Sequence, residues 1–286
     1  MEINQTATYT KSFSQEEFDR FAELSGDNNP IHVNPEFSAR TKFGKTAAHG
    51  MLLYSTLGRC LGSLLPGAGT IQFSQELMFP TPTFVGQEVE IQLEVVALPS
   101  QNTVEIATNI VQPYGKLSCE GKTLVWFPGA KIDFGDVLFD APQYRSEAQE
   151  HRGLHVGQKA EKTRVFTQNE LTGFLDLVDE TNPVFTDRDY AQSIGLRDVL
   201  IPGGLLGGMV SDLLGTQLPG RGTNWLKQKY YFINPAHPGD EITTGVEIIR
   251  LRPEKNLVNL RTTLMSQNGE VVVDGEALVW VSDLEM

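Results

Sequence analysis

The chain has 286 residues, of which 40% are hydrophobic and 21% charged, and this composition is typical of a globular protein rather than a disordered or fibrous one. Its net charge of -13, from 23 basic and 36 acidic residues, argues against binding to nucleic acid or to a membrane surface, because both need a basic patch. We expect a cytoplasmic protein, since the N-terminus lacks the apolar run of a signal peptide and no stretch is long and apolar enough to span a bilayer.

The first half of the chain is predicted to form two main helices and several strands. Ser14 and Glu17 form a capping box, in which the hydroxyl and the carboxylate accept hydrogen bonds from free amides of the first helical turn. A longer helix is predicted from Gly50 to Leu65, and we expect it to be buried because it is apolar around most of its circumference. Alternating apolar and polar residues then predict antiparallel strands up to Phe127.

The second half repeats the first. Thr167 and Glu170 form a second capping box, 153 positions after Ser14 and Glu17 (167 − 14 and 170 − 17). The same offset recurs at turns and helix ends, which indicates a tandem duplication. We predict two similar sheets side by side, like a dimer within one chain. The predicted division has a first repeat at 1–128, a linker at 129–158 and a second repeat at 159–286.

A polar loop between the helices of the first half carries Asp27, Asn29 and His32. The proline after Asn29 excludes helical geometry there, so the loop is expected to be stiff. A carboxylate and an imidazole on one stiff loop can hold a water between them, one accepting its proton and the other orienting it. This arrangement suits the addition of water to a double bond or the reverse elimination. The alternative is that Asp27 only shapes a turn and His32 only packs in the loop.

The duplication provides an internal comparison for this loop. At the 153 offset, Glu180 replaces Asp27 and Phe185 replaces His32 (180 − 27 and 185 − 32), whereas the Asn-Pro pair is retained. Because the copy keeps the features that shape the backbone and loses the histidine, we assign the chemistry to the first half.

His49 and Gly50 begin the long buried helix. Amides at a helix N-terminus have no partner within the helix, so the Gly50 N–H is a candidate donor to an oxyanion. Gly203 stands at the equivalent place in the second half, which leaves open that close packing requires the glycine. His49, which corresponds to Pro202, is expected either to line a pocket or to pack at the start of the helix.

Other kinds of site are less favoured. The histidines and the aspartate match no zinc-binding spacing, and Cys60 and Cys119 form no Cys-x-x-Cys pair, so no metal is expected. The sequence contains no nucleotide-binding glycine motif and no nucleophile elbow. A basic cluster near the loop, which either contacts phosphates or forms a solvated surface, consists of Arg40, Lys42 and Lys45.

The segment Leu24-Ser-Gly-Asp-Asn-Asn-Pro-Ile-His-Val-Asn34 resembles the hydratase 2 motif of the MaoC-like proteins, which include (R)-specific enoyl-CoA hydratases and their dehydratase relatives. The likeness continues through Ala48–Leu52, Leu65–Gly67 and Phe84–Gly86, and it departs at Asn34, where an aspartate is common. The resemblance implies an α+β tandem (double) hot-dog fold, in which each half is a long central helix wrapped by a curved antiparallel sheet. The first repeat would be catalytic and the second degenerate.

The resemblance also implies a lyase of fatty acid metabolism that adds water reversibly and syn to a trans-2-enoyl thioester, giving an (R)-3-hydroxyacyl thioester. Asp27 and His32 would activate the water, Asn29 would support that geometry, and the Gly50 N–H would bind the thioester oxygen. The residues expected to bind substrate are His49, Met51, Arg40, Lys42 and Lys45. Coenzyme A or an acyl carrier protein is expected as part of the substrate, with no other cofactor, and a homodimer of the two-repeat chain is left open.

Two other functions are considered for the chain, and one further feature of its acyl-binding wall is expected. A hot-dog thioesterase is less favoured, because such enzymes often place a carboxylate on the buried helix and 50–65 contain no Asp or Glu. A subunit that binds acyl thioesters without catalysis is the other alternative. We further expect Phe185 and the glycine-rich run Ile201–Met209 to enlarge the acyl-binding wall for a long or bulky acyl group.

Overall fold

The computed structural model describes residues 1–127, 132, 134 and 149–283. The first repeat contains β1 (Thr6–Ser12), α1 (Gln15–Ser25), α2 (Pro30–Val33), α3 (Pro35–Ala39), α4 (Gly50–Ser63), β2 (Ile71–Met78), β3 (Glu88–Ser100), β4 (Thr103–Gln112) and β5 (Lys116–Trp126). A short hairpin follows, formed by β6 (Glu150–His151) and β7 (Leu154–His155). The second repeat contains β8 (Lys159–Val165), α5 (Gln168–Val178), α6 (Pro183–Thr186), α7 (Arg188–Ser193), α8 (Gly203–Thr216), β9 (Asn224–Phe232), β10 (Glu241–Arg252), β11 (Leu257–Ser266) and β12 (Val271–Trp280).

Ten of the strands form one antiparallel sheet, in the order β1-β3-β4-β5-β2-β9-β12-β11-β10-β8. Each repeat contributes five adjacent strands, and β2 pairs with β9 where the two sets meet. Glu76 lies opposite Lys229 in this pairing, at equivalent positions of the repeats (229 − 76 = 153), so a pseudo-twofold axis passes between them. The two predicted sheets are therefore one continuous sheet, and an ion pair of 3.0 Å joins these two side chains at its centre.

The structure contains the helix starts that the sequence predicts. Both predicted capping boxes are present, at the starts of α1 and α5. α4 begins at Gly50 as predicted but ends at Ser63, because proline at position 66 disfavours helical geometry at Leu65. β10 begins 153 positions after β3 (241 − 88), whereas β11 begins 154 positions after β4 (257 − 103). The second repeat therefore has one inserted residue between the starts of β10 and β11.

The long helices α4 and α8 pack against each other in the core. A Cβ atom at Gly204 would lie 2.1 Å from the Ser55 hydroxyl, and one at Gly207 would lie 2.6 Å from the Met51 sulfur. Glycine at these positions lets the two helices approach closely. The expectation that the run Ile201–Met209 opens room for an acyl group is therefore wrong, because side chains of α4 fill that space.

Most of the predicted linker at 129–158 lies outside the described residues, so the predicted division of the chain stays a prediction. On either side of it, β5 ends at Trp126 and β8 begins at Lys159. Within the described residues, no helix combines the length and the apolar character needed to cross a membrane.

Candidate active site

A cavity of about 690 Å³ is lined by residues of both repeats. The first repeat contributes Asp27, Asn29 and His32 from the loop and Gly50 from the start of α4, and the second contributes Ser211, Leu214 and Gly215 from α8. The structure thus brings together in one cavity all four residues predicted to be catalytic. It also shows that the cavity is incomplete without the second repeat.

Asp27 is held by donors from both repeats. Its side chain is almost fully buried, and Oδ1 accepts a hydrogen bond of 3.2 Å from the Asn29 amide within the loop. Oδ2 accepts a hydrogen bond of 2.6 Å from the Ser211 hydroxyl on α8. The two donors fix the orientation of the carboxylate, and the second donor comes from a helix 184 residues away along the chain.

The hydrogen bond of His32 fixes which of its nitrogens can accept a proton. Nδ1 lies 2.7 Å from the carbonyl oxygen of Ala47, and because a carbonyl only accepts, Nδ1 carries the hydrogen. In the neutral ring Nε2 therefore has the free lone pair. His32 is half-buried and lines the cavity, so it can serve as a base towards a ligand there.

His49 lies behind His32 instead of lining the cavity. Its ring is fully buried and stacks on the ring of His32, with centroids 3.9 Å apart and an interplanar angle of 29°. Its Nε2 donates a hydrogen bond of 3.0 Å to the backbone carbonyl of Asp27. Burial, and then the proximity of His32, hold the pKa of His49 well below its usual value. The placement does not support the expectation that His49 contacts substrate.

Asn29 and Gly50 both line the cavity, and their roles in catalysis stay predictions. Asn29 caps α2 by accepting from the Ile31 amide, and its Nδ2 donates across to the carbonyl of Gly215 at 3.4 Å. The amide of Gly50 donates to no acceptor among the described residues. A Cβ atom at Gly50 would lie 3.0 Å from the ring of Phe79, so packing also favours glycine here. The structure is thus compatible with both roles of Gly50, as a donor to an oxyanion and as a residue that close packing requires.

The remaining predicted substrate-binding residues are separated by the structure. Met51 is fully buried in the core, with its sulfur 3.6 Å from the hydroxyl of Tyr230. Arg40 and Lys45 are exposed and lie outside the cavity lining. Lys42 lines the cavity, where it pairs with Asp283 at 2.6 Å and lies over the ring of Trp280, with Nζ 4.5 Å from its centroid. Of this group, therefore, Lys42 alone borders the cavity.

Ser211 and Arg221 are cavity residues that the sequence analysis did not identify. Arg221 is exposed at the cavity and forms no ion pair with another described residue. The duplication contains the signal that could have found both residues. Ser211 corresponds to Gly58 and Arg221 to Ala68 (211 − 58 and 221 − 68 equal 153), so each polar side chain occurs in only one copy.

The equivalent site of the second repeat is nearly closed. It consists of two small cavities of about 20 and 40 Å³, and Gln72 and Phe185 line both. Glu180, the counterpart of Asp27, accepts hydrogen bonds from the amides of Thr181 and Asn182. Burial raises its pKa to about 7. Phe185 therefore occupies the second site and does not line the large cavity, so the structure does not support the prediction that it enlarges the acyl-binding wall.

Asp27, His32 and His49 also form the one cluster of potential metal ligands among the described residues, with one atom from each within 4.8 Å of the others. Two features of the geometry oppose chelation. A histidine nitrogen binds a metal ion in the plane of its ring, and the stacked rings of His32 and His49 lie in different planes, one above the other. One ion therefore cannot lie in the plane of both rings at binding distance. In addition, each oxygen of Asp27 already accepts a hydrogen bond. The arrangement suits proton transfer better than metal binding.

Comparison with known proteins follows the division into two repeats. Residues 2–112 match the model of the MaoC like domain, and residues 153–275 match that of the FAS1-like dehydratase domain region. An (R)-specific enoyl-CoA hydratase from Aeromonas caviae is 40% identical over 129 residues, which are 45% of this chain and 96% of that protein. The chain belongs to the MaoC-like family.

Solved structures extend the comparison of this MaoC-like chain to its whole length. A MaoC-like dehydratase superposes with a TM-score of 0.78 at 16% identity, covering 98% of each chain. A protein from Mycobacterium tuberculosis described as having a double hotdog fold gives a TM-score of 0.76 at 14% identity, covering 98% of this chain and 96% of that one. The predicted tandem hot-dog fold is confirmed.

Proposed function

We propose that this MaoC-like protein is a hydratase and dehydratase that adds water reversibly to trans-2-enoyl-CoA and forms (R)-3-hydroxyacyl-CoA. One observation carries the proposal: the carboxylate of Asp27 and the imidazole of His32 border the same cavity as the amide of Gly50, which has no acceptor among the residues that the structure describes. The first two groups suit activation of a water, and the third suits stabilisation of the charge that forms at the thioester oxygen.

The reaction proceeds by proton transfer to and from His32. Asp27, held by Ser211, orients a water whose proton passes to Nε2 of His32 while its oxygen attacks C3 of the enoyl thioester. The electrons of the double bond move to the thioester oxygen, where the Gly50 amide stabilises the enolate. His32 then returns the proton to C2 on the same face, so the addition is syn. Dehydration follows the same steps in reverse.

Basic residues at the cavity support a carrier that bears phosphates. Lys42 comes from the first repeat and Arg221 from the second, and both line the cavity that holds the predicted catalytic residues. Their counterparts are Gly195 and Ala68 (195 − 42 and 221 − 68), so neither cation occurs at the closed copy. The indole of Trp280 beside Lys42 provides a flat surface for a ring. We therefore propose the phosphates and adenine of coenzyme A as the groups bound there.

The reaction as proposed needs neither metal nor redox cofactor, because every step is a proton transfer or an attack by water. We also propose that the enzyme acts in the cytoplasm, where coenzyme A thioesters are formed and consumed. Since both repeats contribute to the cavity within one chain, a homodimer is not needed to complete the site. Dialysis against a chelator tests the first proposal and is expected to leave the hydratase activity unchanged. Sedimentation at equilibrium measures the oligomeric state.

The test is incubation of the protein with crotonyl-CoA and with a longer trans-2-enoyl-CoA, followed by chiral analysis of the product. Loss of the enoyl absorbance with formation of the (R)-3-hydroxyacyl-CoA is the expected result. Unaltered enoyl-CoA after prolonged incubation would support the non-catalytic alternative. Release of free coenzyme A from a saturated acyl-CoA would support a thioesterase instead.

A further inference from the structure

His49 is a buried histidine whose side chain contributes little to the local backbone. It precedes α4, and its side chain makes no capping hydrogen bond to the helix. Its backbone has φ −59° and ψ 136°, and Pro202, the equivalent residue before α8, has φ −60° and ψ 141°. The same helix start is therefore built without a histidine in the second repeat. The backbone geometry at the start of α4 therefore does not explain why a histidine is present at position 49.

The hydrogen bond and the ring stack of His49 both lead to the proposed catalytic pair. Its Nε2 donates to the carbonyl of Asp27 at 3.0 Å, and one face of its ring stacks on His32 at 3.9 Å. The ring of Phe21 also packs against it, with centroids 4.9 Å apart. His49 thus links the backbone of one catalytic residue to the side chain of the other. The second repeat, which has Phe185 in place of His32, has lost both histidines together.

The charge state of His49 follows from the same contacts. A carbonyl only accepts, so Nε2 carries the hydrogen and Nδ1 holds a lone pair in the neutral ring. Nδ1 is buried and has no hydrogen-bond partner among the described residues. A second proton on this ring would place an unpaired charge in the core beside His32, which is unfavourable when His32 must itself accept a proton.

We propose that His49 is a positioning residue: a permanently neutral imidazole that supports the ring of His32 and fixes its distance from Asp27. The inference rests on the proposed hydratase reaction. It requires both contacts of His49, the stack and the hydrogen bond. Because His49 does not line the cavity, its loss is expected to lower kcat and to leave substrate binding unchanged.

Two substitutions separate the contacts. His49→Phe retains a flat ring for the stack and loses the hydrogen bond to Asp27; it removes the unpaired Nδ1 but leaves the buried carbonyl of Asp27 without this donor. His49→Asn retains a donor and loses the stack. Misplacement of a catalytic group by about 1 Å costs roughly a hundredfold, so we expect each variant to lose about 10- to 100-fold in kcat with KM within about twofold. The acid limb of the pH profile of kcat/KM should also move.

The matched control is His237→Phe. His237 is likewise buried and likewise hydrogen-bonded to a backbone carbonyl, with Nδ1 2.8 Å from the carbonyl of Val199, but it lies in the second repeat. This variant is expected to retain the wild-type kcat and pH profile. Thermal unfolding of all three variants separates loss of folding from loss of positioning, and His49→Phe is the variant expected to stay folded.

A spectroscopic measurement tests the same proposal without turnover. In two-bond ¹H–¹⁵N spectra of the protein, His49 should show the neutral form with the proton on Nε2 from about pH 5.5 to 8.5, whereas an ordinary histidine titrates in this range. Protonation of His49 within that range, or a proton on Nδ1, would overturn the proposal. So would a folded His49 variant with wild-type kcat, or one in which only KM rises. Absence of hydration by the wild-type protein would instead refute the proposed function.

Discussion

Replacing Ser211 by alanine removes the hydrogen bond that the second repeat donates to Asp27. The bond is short, at 2.6 Å, and the acceptor oxygen belongs to a carboxylate that is almost fully buried. Hydrogen bonds to charged groups contribute about 1.5–3 kcal/mol, and the cost is at the upper end when the remaining partner stays buried without a replacement. If the bond orients Asp27 in the transition state, kcat/KM should fall roughly 10- to 150-fold.

The assay is hydration of crotonyl-CoA under conditions that give kcat/KM, with wild-type and variant proteins at equal folded concentration. Ser55→Ala is the matched control, since Ser55 is a buried serine on α4 whose hydroxyl donates 2.6 Å to a carbonyl, that of Met51, away from the predicted catalytic residues. It should retain activity within about twofold. If Ser211→Ala retains wild-type activity, or if both variants lose activity equally, the account of Asp27 as a carboxylate held across the two repeats is wrong.

Three further variants test other parts of the account. Arg221→Ala should raise KM for crotonyl-CoA about 3- to 10-fold and leave KM for crotonyl-pantetheine, which lacks the phosphates, unchanged. The control is Arg188→Ala, which removes an exposed arginine paired with a carboxylate. Equal effects of Arg221→Ala on both substrates would contradict a phosphate contact. Gly50→Ala keeps the amide N–H but adds a methyl group beside it, 3.0 Å from the ring of Phe79, so kcat should fall if a ligand oxygen must approach this amide closely, whereas a change in stability alone would assign the glycine to packing. Glu180→Gln should change the pH dependence of stability, because burial raises the pKa of Glu180 in the folded protein from 4.5 to about 7. The wild-type protein therefore loses stability as the pH rises from 4.5 to about 7, and above pH 7 the variant should be more stable than wild type by about 3 kcal/mol. Urea unfolding of both proteins at pH 5 and pH 8 measures this difference. Equal pH dependence of the two proteins would refute the assignment to Glu180.

The parts of the structure that could be predicted from the sequence are those set by local signals. Capping residues and the apolar pattern of α4 act within a few residues, and a fixed offset relates the two copies of each signal. The comparison of Asp27 and His32 with Glu180 and Phe185 located the open cavity for the same reason. Such signals are readable because they do not depend on how the two repeats pack.

Contacts that depend on packing between distant elements were not predicted. The bond from Ser211 to Asp27 spans 184 residues and exists because α8 lies beside α4, and the pairing of β2 with β9 joins the two sheets in a way that neither strand's pattern specifies. The sequence placed His49 and Met51 at the start of α4 but did not indicate which face of the helix borders the cavity. Both side chains turned out to be buried in the core.

In the proposed reaction, Asp27 and His32 together add water to an enoyl thioester. The most direct test is the rate of hydration of crotonyl-CoA by the wild-type protein, Asp27→Asn and His32→Ala, with folding checked by circular dichroism. We expect the wild type to form (R)-3-hydroxybutyryl-CoA and each variant to be slower by at least roughly a hundredfold while remaining folded. Near-wild-type hydration by either folded variant would contradict it.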